Sequence, residues 1–83
     1  MADTYIAVGD DVYTLYDHAL QRMGERKILV EWVEAAMNEP DDVVDISPQR
    51  RGYDKSIDEN TTIRVVVDEN AKQIVTMFYI EAG

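Results

Sequence analysis

Cysteine is absent from this chain of 83 residues, and histidine and phenylalanine each occur only once. Without cysteine the protein has no disulfide and no thiolate metal site. A single histidine also excludes a pair of histidine ligands. A domain of this length buries only about 60% of the surface of its unfolded chain. We therefore expect one small domain, residues 1–83, that depends on its hydrophobic core for stability.

Membrane and export signals are missing as well. No apolar run is long enough to cross a membrane as a helix. The first residues, Met1 to Thr4, lack the basic and apolar segments of a secretory signal. These features predict a cytoplasmic protein without a membrane partner.

Basic residues are scarce. Eight lysines and arginines stand against 17 aspartates and glutamates, which gives a net charge of −9. Such a surface repels nucleic acid at long range and favours basic partners. Most of the basic residues fall in two stretches, 22–27 and 50–55. These stretches would form a local positive patch if the fold brought them together.

Apolar spacing predicts two helices within residues 15–39. The first helix runs from Asp17 to about Glu25, with Gly24 near its end, and the second stops before Pro40. Both have apolar stripes at helical intervals: Leu15, Ala19, Leu20 and Met23 in the first, and Leu29, Trp32, Val33, Ala36 and Met37 in the second. Because the turn between them is short, we expect the helices to pack on each other as a hairpin.

Strands are predicted within residues 42–80. The strongest, 63–67 and 74–80, are joined by a turn and form a β-hairpin. Residues 51–57 are polar, as in an exposed edge strand, through which two copies could pair as a homodimer. Residues 1–14 show only weak strand character and are expected to be a lead-in. The order predicts an α+β fold in which an N-terminal helical hairpin packs on a three- to four-stranded antiparallel sheet.

The only histidine, His18, lies in the first helix, four residues before Arg22 and eight before Arg26. Residues four apart share one helix face. Histidine transfers protons near neutral pH, and arginine binds phosphate and stabilises the charge that develops in phosphoryl transfer. The three residues are thus candidates for a phosphate-handling site. The structural alternative is that His18 donates a hydrogen bond to the backbone or packs on an aromatic side chain, and that the arginines pair with nearby carboxylates.

Further candidate residues lie on the predicted strands. Arg51, Tyr53 and Lys55 alternate and so share one strand face. An aromatic ring between basic residues can stack on a base while the basic residues hold its phosphate. Charges that protect an exposed edge strand against aggregation explain the pattern equally well. Thr76 and Tyr79 lie on the last strand, where Thr76 would bond the substrate or its strand neighbours. The chain has no Gly-rich phosphate loop and no metal-binding pattern, so no metal or other cofactor is expected.

One pattern extends from about Leu15 to Tyr79. It comprises His18-Ala19, Arg22-Met23, Glu25-Arg26 and Ile28, then Asn38-Glu39-Pro40, residues 63–67 and Ile74-Val75-Thr76 with Tyr79. With this pattern the chain resembles a family of small bacterial, archaeal and phage domains of unknown function. That family is similar in layout to RelE-like and BrnT-like toxins, which cut RNA without a metal. The resemblance implies a RelE-like fold, with His18, Arg22 and Arg26 as site residues and Lys55, Thr76 and Tyr79 as additions from the sheet.

Two functions fit these residues. The first is a metal-independent, toxin-type ribonuclease with RNA or the ribosome as target and a cognate antitoxin as partner. His18, Arg22 and Arg26 would be catalytic, and the RNA-binding residues would be Arg51, Tyr53, Lys55, Thr76 and Tyr79. The second is a non-catalytic acidic module, either a regulatory subunit or a phage-type inhibitor that imitates nucleic acid. It would bind a basic protein through an acidic face such as Asp41, Asp42 and Asp45.

Overall fold

The computed structural model describes residues 4–81, which form six strands and two short helices. In chain order these are β1 (Thr4–Val8), β2 (Asp11–Leu15), α1 (Asp17–Glu25), α2 (Val30–Asn38), β3 (Asp42–Asp45), β4 (Arg50–Asp58), β5 (Thr61–Asp68) and β6 (Gln73–Ile80). The strands form one sheet in the order β1-β2-β6-β5-β4-β3. Neighbouring strands are antiparallel except β2 and β6, which are parallel, so the sheet is mixed.

The α+β class agrees with the sequence, but the predicted RelE-like layout is wrong. Of the residues expected to be a lead-in, 4–14 belong to the β1–β2 hairpin, and 1–3 lie outside the described residues. Its two-residue turn, Gly9-Asp10, places Gly9 at φ 60°, a conformation that glycine adopts because it has no Cβ. The helices are therefore preceded by two strands. The sheet has six strands rather than three or four, and it is not wholly antiparallel.

The two helices pack mainly on the sheet, so the predicted helical hairpin is also wrong. α1 lies against β6, and α2 lies against β4, β1 and β5. At the end of α1 the Ile28 N–H donates to the Met23 carbonyl (3.0 Å) and the Lys27 N–H to the Gly24 carbonyl (3.2 Å). These bonds form a Schellman motif, which ends the helix and turns the chain. Each helix then buries its own apolar stripe on the sheet.

One hydrophobic core lies between the helices and one face of the sheet. β5 and β6, the strands with the strongest sequence signal, lie inside the sheet and contribute many of the fully buried side chains. The largest of these side chains are Ile6, Leu15, Val33, Ile63, Val65, Val67, Ile74 and Met77. Neither helix is long and apolar enough to span a membrane within residues 4–81.

β4 is an inner strand and not the exposed edge that its polar sequence predicts. It pairs with β5 from Arg50 to Asp58 and with β3 from Arg51 to Asp54. Side chains from both neighbouring strands cover Gly52, where a Cβ would lie 3.0 Å from both Arg64 Cδ and Val44 Cγ2. Along residues 51–54 the backbone groups of β4 already pair with β3 and β5, so these residues are not available for the predicted pairing with a second copy.

Candidate functional site: the α1–β6 pocket

A pocket opens where β2 stops pairing with β6. The two strands pair only at Thr14–Gln73 and Leu15–Ile74, because the chain then leaves the sheet and turns into α1. Beyond Ile74, α1 packs against β6. The open space between them, about 420 Å³, is lined by His18, Arg22, Arg26, Val75, Thr76 and Phe78. We call it the α1–β6 pocket; α1, its C-cap residue Arg26 and β6 supply all six lining residues.

His18 and Arg22 are exposed side chains on successive turns of α1. Their spacing brings them onto one helix face, as the sequence predicts. Within residues 4–81 neither side chain forms an ion pair with a carboxylate. Glu25, which is close to both in sequence, instead accepts a hydrogen bond from Gln21 (Nε2 to Oε2, 3.2 Å). Both side chains are therefore available to a ligand.

Arg26 ties α1 to β6 and still presents charge to the pocket. Its Nη1 donates to the Met77 carbonyl at 2.7 Å and to Thr76 Oγ1 at 3.2 Å. A guanidinium has five N–H groups, so these bonds use both hydrogens of Nη1 and leave three on Nε and Nη2. No carboxylate within residues 4–81 pairs with it. The sheet thus holds one cation of the pocket in a fixed position.

Tyr79 lies beside the pocket rather than in its lining. Its hydroxyl donates to the backbone carbonyls of Arg26 (2.8 Å) and Lys27 (3.3 Å). Carbonyls at the end of a helix lack partners within the helix, so these bonds satisfy groups that would otherwise need water. In this position Tyr79 fixes the backbone that carries Arg26.

Arg51 and Lys55, the two basic candidate residues on β4, lie outside the α1–β6 pocket and pair with carboxylates. Arg51 Nε lies 3.3 Å from Asp45 Oδ1, and Arg51 Nη1 lies 3.7 Å from Glu69 Oε2. Lys55 Nζ lies 3.7 Å from Asp41 Oδ1. The two basic stretches of the sequence therefore do not line one common pocket.

Tyr53, the third candidate on β4, belongs to a polar cluster centred on Glu69. The hydroxyls of Tyr13 and Tyr53 each donate to Glu69 at 2.6 Å, and Lys72 Nζ lies 3.6 Å from it. Burial opposes ionisation of Glu69, but the two tyrosine bonds, Lys72 and Arg51 outweigh it and hold its pKa below the ordinary 4.5. Burial and the bond to Glu69 raise the pKa of Tyr13 to about 12. These groups satisfy one another, so the cluster is structural.

A second open space, about 330 Å³, lies at the turn between β3 and β4. Asp45, Arg51 and Glu69 are among its lining residues, and their charges pair with one another. The cations of the α1–β6 pocket lack such partners within residues 4–81. In the same part of the chain, no group of three or more histidine or acidic side chains is arranged to hold a metal ion.

Sequence reasoning missed two lining residues, Val75 and Phe78. Phe78 lies two residues after Thr76, and residues two apart on a strand point to the same face. That spacing was the available signal for Phe78. Val75 lies where the register of β6 with β5 shifts, so simple alternation does not place its side chain.

Residues 15–79 match the family described as a domain of unknown function, DUF4258. The chain belongs to this family. The prediction of a small family of unknown function is therefore confirmed. All six lining residues of the α1–β6 pocket lie inside the DUF4258 match, whereas β1 and nearly all of β2 precede it. No curated protein and no solved structure is significantly similar to the chain.

Proposed function

We propose that the α1–β6 pocket binds an RNA phosphodiester and cleaves it as a metal-independent ribonuclease of the toxin type. One observation carries the proposal: His18, Arg22 and Arg26 line a single open pocket, and no carboxylate of residues 4–81 pairs with them. The guanidinium groups of Arg22 and Arg26 are therefore free of carboxylate partners within residues 4–81. They are well suited to an anionic ligand, because arginine binds phosphate through charge-assisted hydrogen bonds.

His18 provides the proton transfer. As a base, neutral His18 accepts the proton of the ribose 2′-hydroxyl while the 2′ oxygen attacks phosphorus. The bond from phosphorus to the 5′ oxygen breaks, and water protonates that oxygen. As an acid, protonated His18 instead donates to the leaving 5′ oxygen, and water takes the 2′ proton. Both schemes give a 2′,3′-cyclic phosphate and a 5′-hydroxyl. They differ in pH dependence, because only the first needs neutral histidine.

The arginines stabilise the negative charge that builds up on the non-bridging oxygens during attack. Arg26 is already held by Met77 and Thr76, so it needs little reorganisation when that charge develops. Arg22 is exposed and reaches the ligand from the helix. The toxin assignment draws only on the sequence resemblance of the pattern from His18 to Ile28, because the mixed six-stranded sheet does not have the RelE-like layout.

The proposal is tested with a labelled single-stranded RNA in the presence of a metal chelator. Wild-type protein is expected to produce fragments that end in a cyclic phosphate, and a 2′-O-methyl version of the same RNA is expected to resist cleavage. His18→Gln and Arg22→Ala should each lower the rate by roughly 100-fold or more. The pH profile of the wild-type rate then assigns His18 as base or acid.

Two variants serve as matched controls. Gln21→Ala changes an exposed residue of the same helix, and Arg50→Ala removes an exposed arginine outside the α1–β6 pocket. Both should cleave at the wild-type rate. Absence of cleavage, or unchanged cleavage by His18→Gln and Arg22→Ala, would overturn the proposal. In cells, a toxin would arrest growth unless its antitoxin is present, and His18→Gln should relieve that arrest.

The net charge of −9 favours a second candidate function, a non-catalytic module that binds a basic protein. Within the predicted acidic face, Asp41 and Asp45 already pair with Lys55 and Arg51, and all three aspartates remain exposed. This function predicts that the protein captures a basic partner with an affinity that falls as salt rises. Replacement of Asp41, Asp42 and Asp45 by asparagine should weaken the capture; unchanged binding would exclude this face.

A further inference from the structure

Phe78 gives the α1–β6 pocket an aromatic side that phosphate binding does not use. The pocket joins His18 and Arg22 on α1, and Arg26 at the C-cap of that helix, to Phe78 on β6, the only phenylalanine of the chain. Its side chain is partly exposed and is not part of the buried core. We propose that the Phe78 ring stacks on the base of a bound nucleotide, so that the pocket selects nucleotides over simple phosphates. This inference rests on phosphate binding by the same pocket.

The spacing along β6 fits a nucleotide. Thr76 and Phe78 point to the same face of the strand, two residues or roughly 7 Å apart. Arg26 is bonded to Thr76 Oγ1, so its guanidinium lies at the Thr76 end of this step. A phosphate held by Arg26 and Arg22 would therefore lie about one ribose away from the Phe78 ring. The two ends of the pocket thus match the two ends of a nucleotide.

The residue that faces Phe78 across the sheet does not place its charge on the Phe78 ring. Phe78 pairs with Arg64 on β5. The Arg64 guanidinium is held by both oxygens of Asp54, with Nε to Oδ1 at 2.7 Å and Nη2 to Oδ2 at 2.9 Å. Within residues 4–81, no cation lies over the Phe78 ring. No cation therefore competes with a base for the ring, and such stacking tolerates every base because each has a π-face.

Calorimetry with four probes tests the inference: adenosine 3′-monophosphate, uridine 3′-monophosphate, ribose 5-phosphate and inorganic phosphate. Wild-type protein should bind both nucleotides roughly tenfold more tightly than the two probes without a base. Phe78→Leu should lose that advantage and keep its affinity for ribose 5-phosphate. Phe78→Tyr, which retains a ring, should restore nucleotide binding. Arg22→Ala should weaken all four probes.

Tyr5→Leu is the matched control, because it removes an exposed aromatic ring outside the pocket, and it should bind like wild type. Equal nucleotide affinity of wild type and Phe78→Leu, with binding still dependent on Arg22, would overturn the stacking role. Nucleotide binding that depends on Phe78 without any RNA cleavage would support this inference and refute the ribonuclease. No binding of any probe would overturn this inference, whereas the RNA cleavage assay decides the ribonuclease separately.

Discussion

Glu69, a single carboxylate in the turn after β5, ties together elements that are distant in the sequence. It accepts hydrogen bonds from Tyr13 on β2 and Tyr53 on β4. Its backbone N–H also donates to the Gln49 carbonyl at 2.9 Å, next to the start of β4. Bonds to an ionised acceptor are stronger than those between neutral groups, so the charge of Glu69 is part of the connection.

Replacing Glu69 by glutamine is predicted to destabilise the protein in a pH-dependent way. At neutral pH we expect the free energy of unfolding to fall by about 1–2 kcal/mol, because the charged acceptor is lost. The folded pKa of Glu69 lies below 4.5, so its contribution is complete above pH 4.5 and is lost as the pH falls through the folded pKa. Urea titrations should therefore show wild type and variant converging in acid.

The control for this prediction is Glu59→Gln, which removes an exposed carboxylate from the turn between β4 and β5. It should leave the free energy of unfolding within about 0.5 kcal/mol of the wild-type value. A loss in Glu69→Gln that stays constant from neutral to acid pH would show that the charge is not what stabilises the cluster.

Among the secondary-structure elements, α1 shows how tertiary contacts override local preference. Gly24 would be expected to end the helix, but it lies inside it, and Lys27 instead adopts the left-handed conformation with φ 55°. Ile28 follows at once and is buried in the core. Burial of Ile28 thus fixes where the chain turns, even though lysine is a poor residue for that conformation.

Two substitutions at the end of α1 are predicted to stabilise the protein. Gly24→Ala should raise the free energy of unfolding by about 1 kcal/mol, since alanine favours helix interiors and a Cβ there meets nothing within 4 Å. Lys27→Gly should raise it by about 0.5–1 kcal/mol because glycine adopts positive φ without strain. Chemical denaturation measures both. Lys27→Ala, which keeps the Cβ, is the control and should give no gain; a gain equal to that of Lys27→Gly would exclude backbone strain as the cause.

Sequence periodicity located both helices and the β5–β6 hairpin, because their apolar patterns are local. The β1–β2 hairpin was missed, since its main signal is the short turn Gly9-Asp10. The parallel pairing of β2 with β6 is a long-range contact that no local pattern encodes. β4 was misjudged as an edge because Arg51 and Lys55 look solvent-directed, whereas the fold supplies carboxylates to both. At the site, helical spacing predicted that His18, Arg22 and Arg26 lie together. Which carboxylates pair with Arg51 and Lys55 on β4 depends on the strand register, which the local sequence pattern does not give.

At the scale of the whole molecule, the balance of charge sets the electrostatic interaction that a nucleic acid would have with the protein. A net charge of −9 repels RNA at long range, whereas the proposed function requires the arginines of the α1–β6 pocket to attract one phosphate group locally. Charges separated by more than about 10 Å are screened at 0.1 M salt, but contacts inside the pocket are screened less. Binding should therefore depend on few phosphates rather than on a broad basic surface.

This balance predicts a shallow salt dependence of RNA binding. If Arg22 and Arg26 together neutralise about one phosphate, the logarithm of the association constant should fall with the logarithm of the salt concentration with a slope of about −0.7. Fluorescence anisotropy of a labelled oligonucleotide, measured at increasing KCl with His18→Gln to prevent cleavage, gives the slope. A slope steeper than about −4 would indicate a wide basic interface elsewhere.

NMR of His18 tests phosphate binding by the α1–β6 pocket most directly, because the only histidine of the chain gives imidazole ring signals that need no assignment. We predict that uridine 3′-monophosphate shifts these signals to saturation and that Arg22→Ala weakens the response. His18 signals that do not move while the nucleotide shifts other residues would place the binding site elsewhere and contradict the function proposed for this pocket.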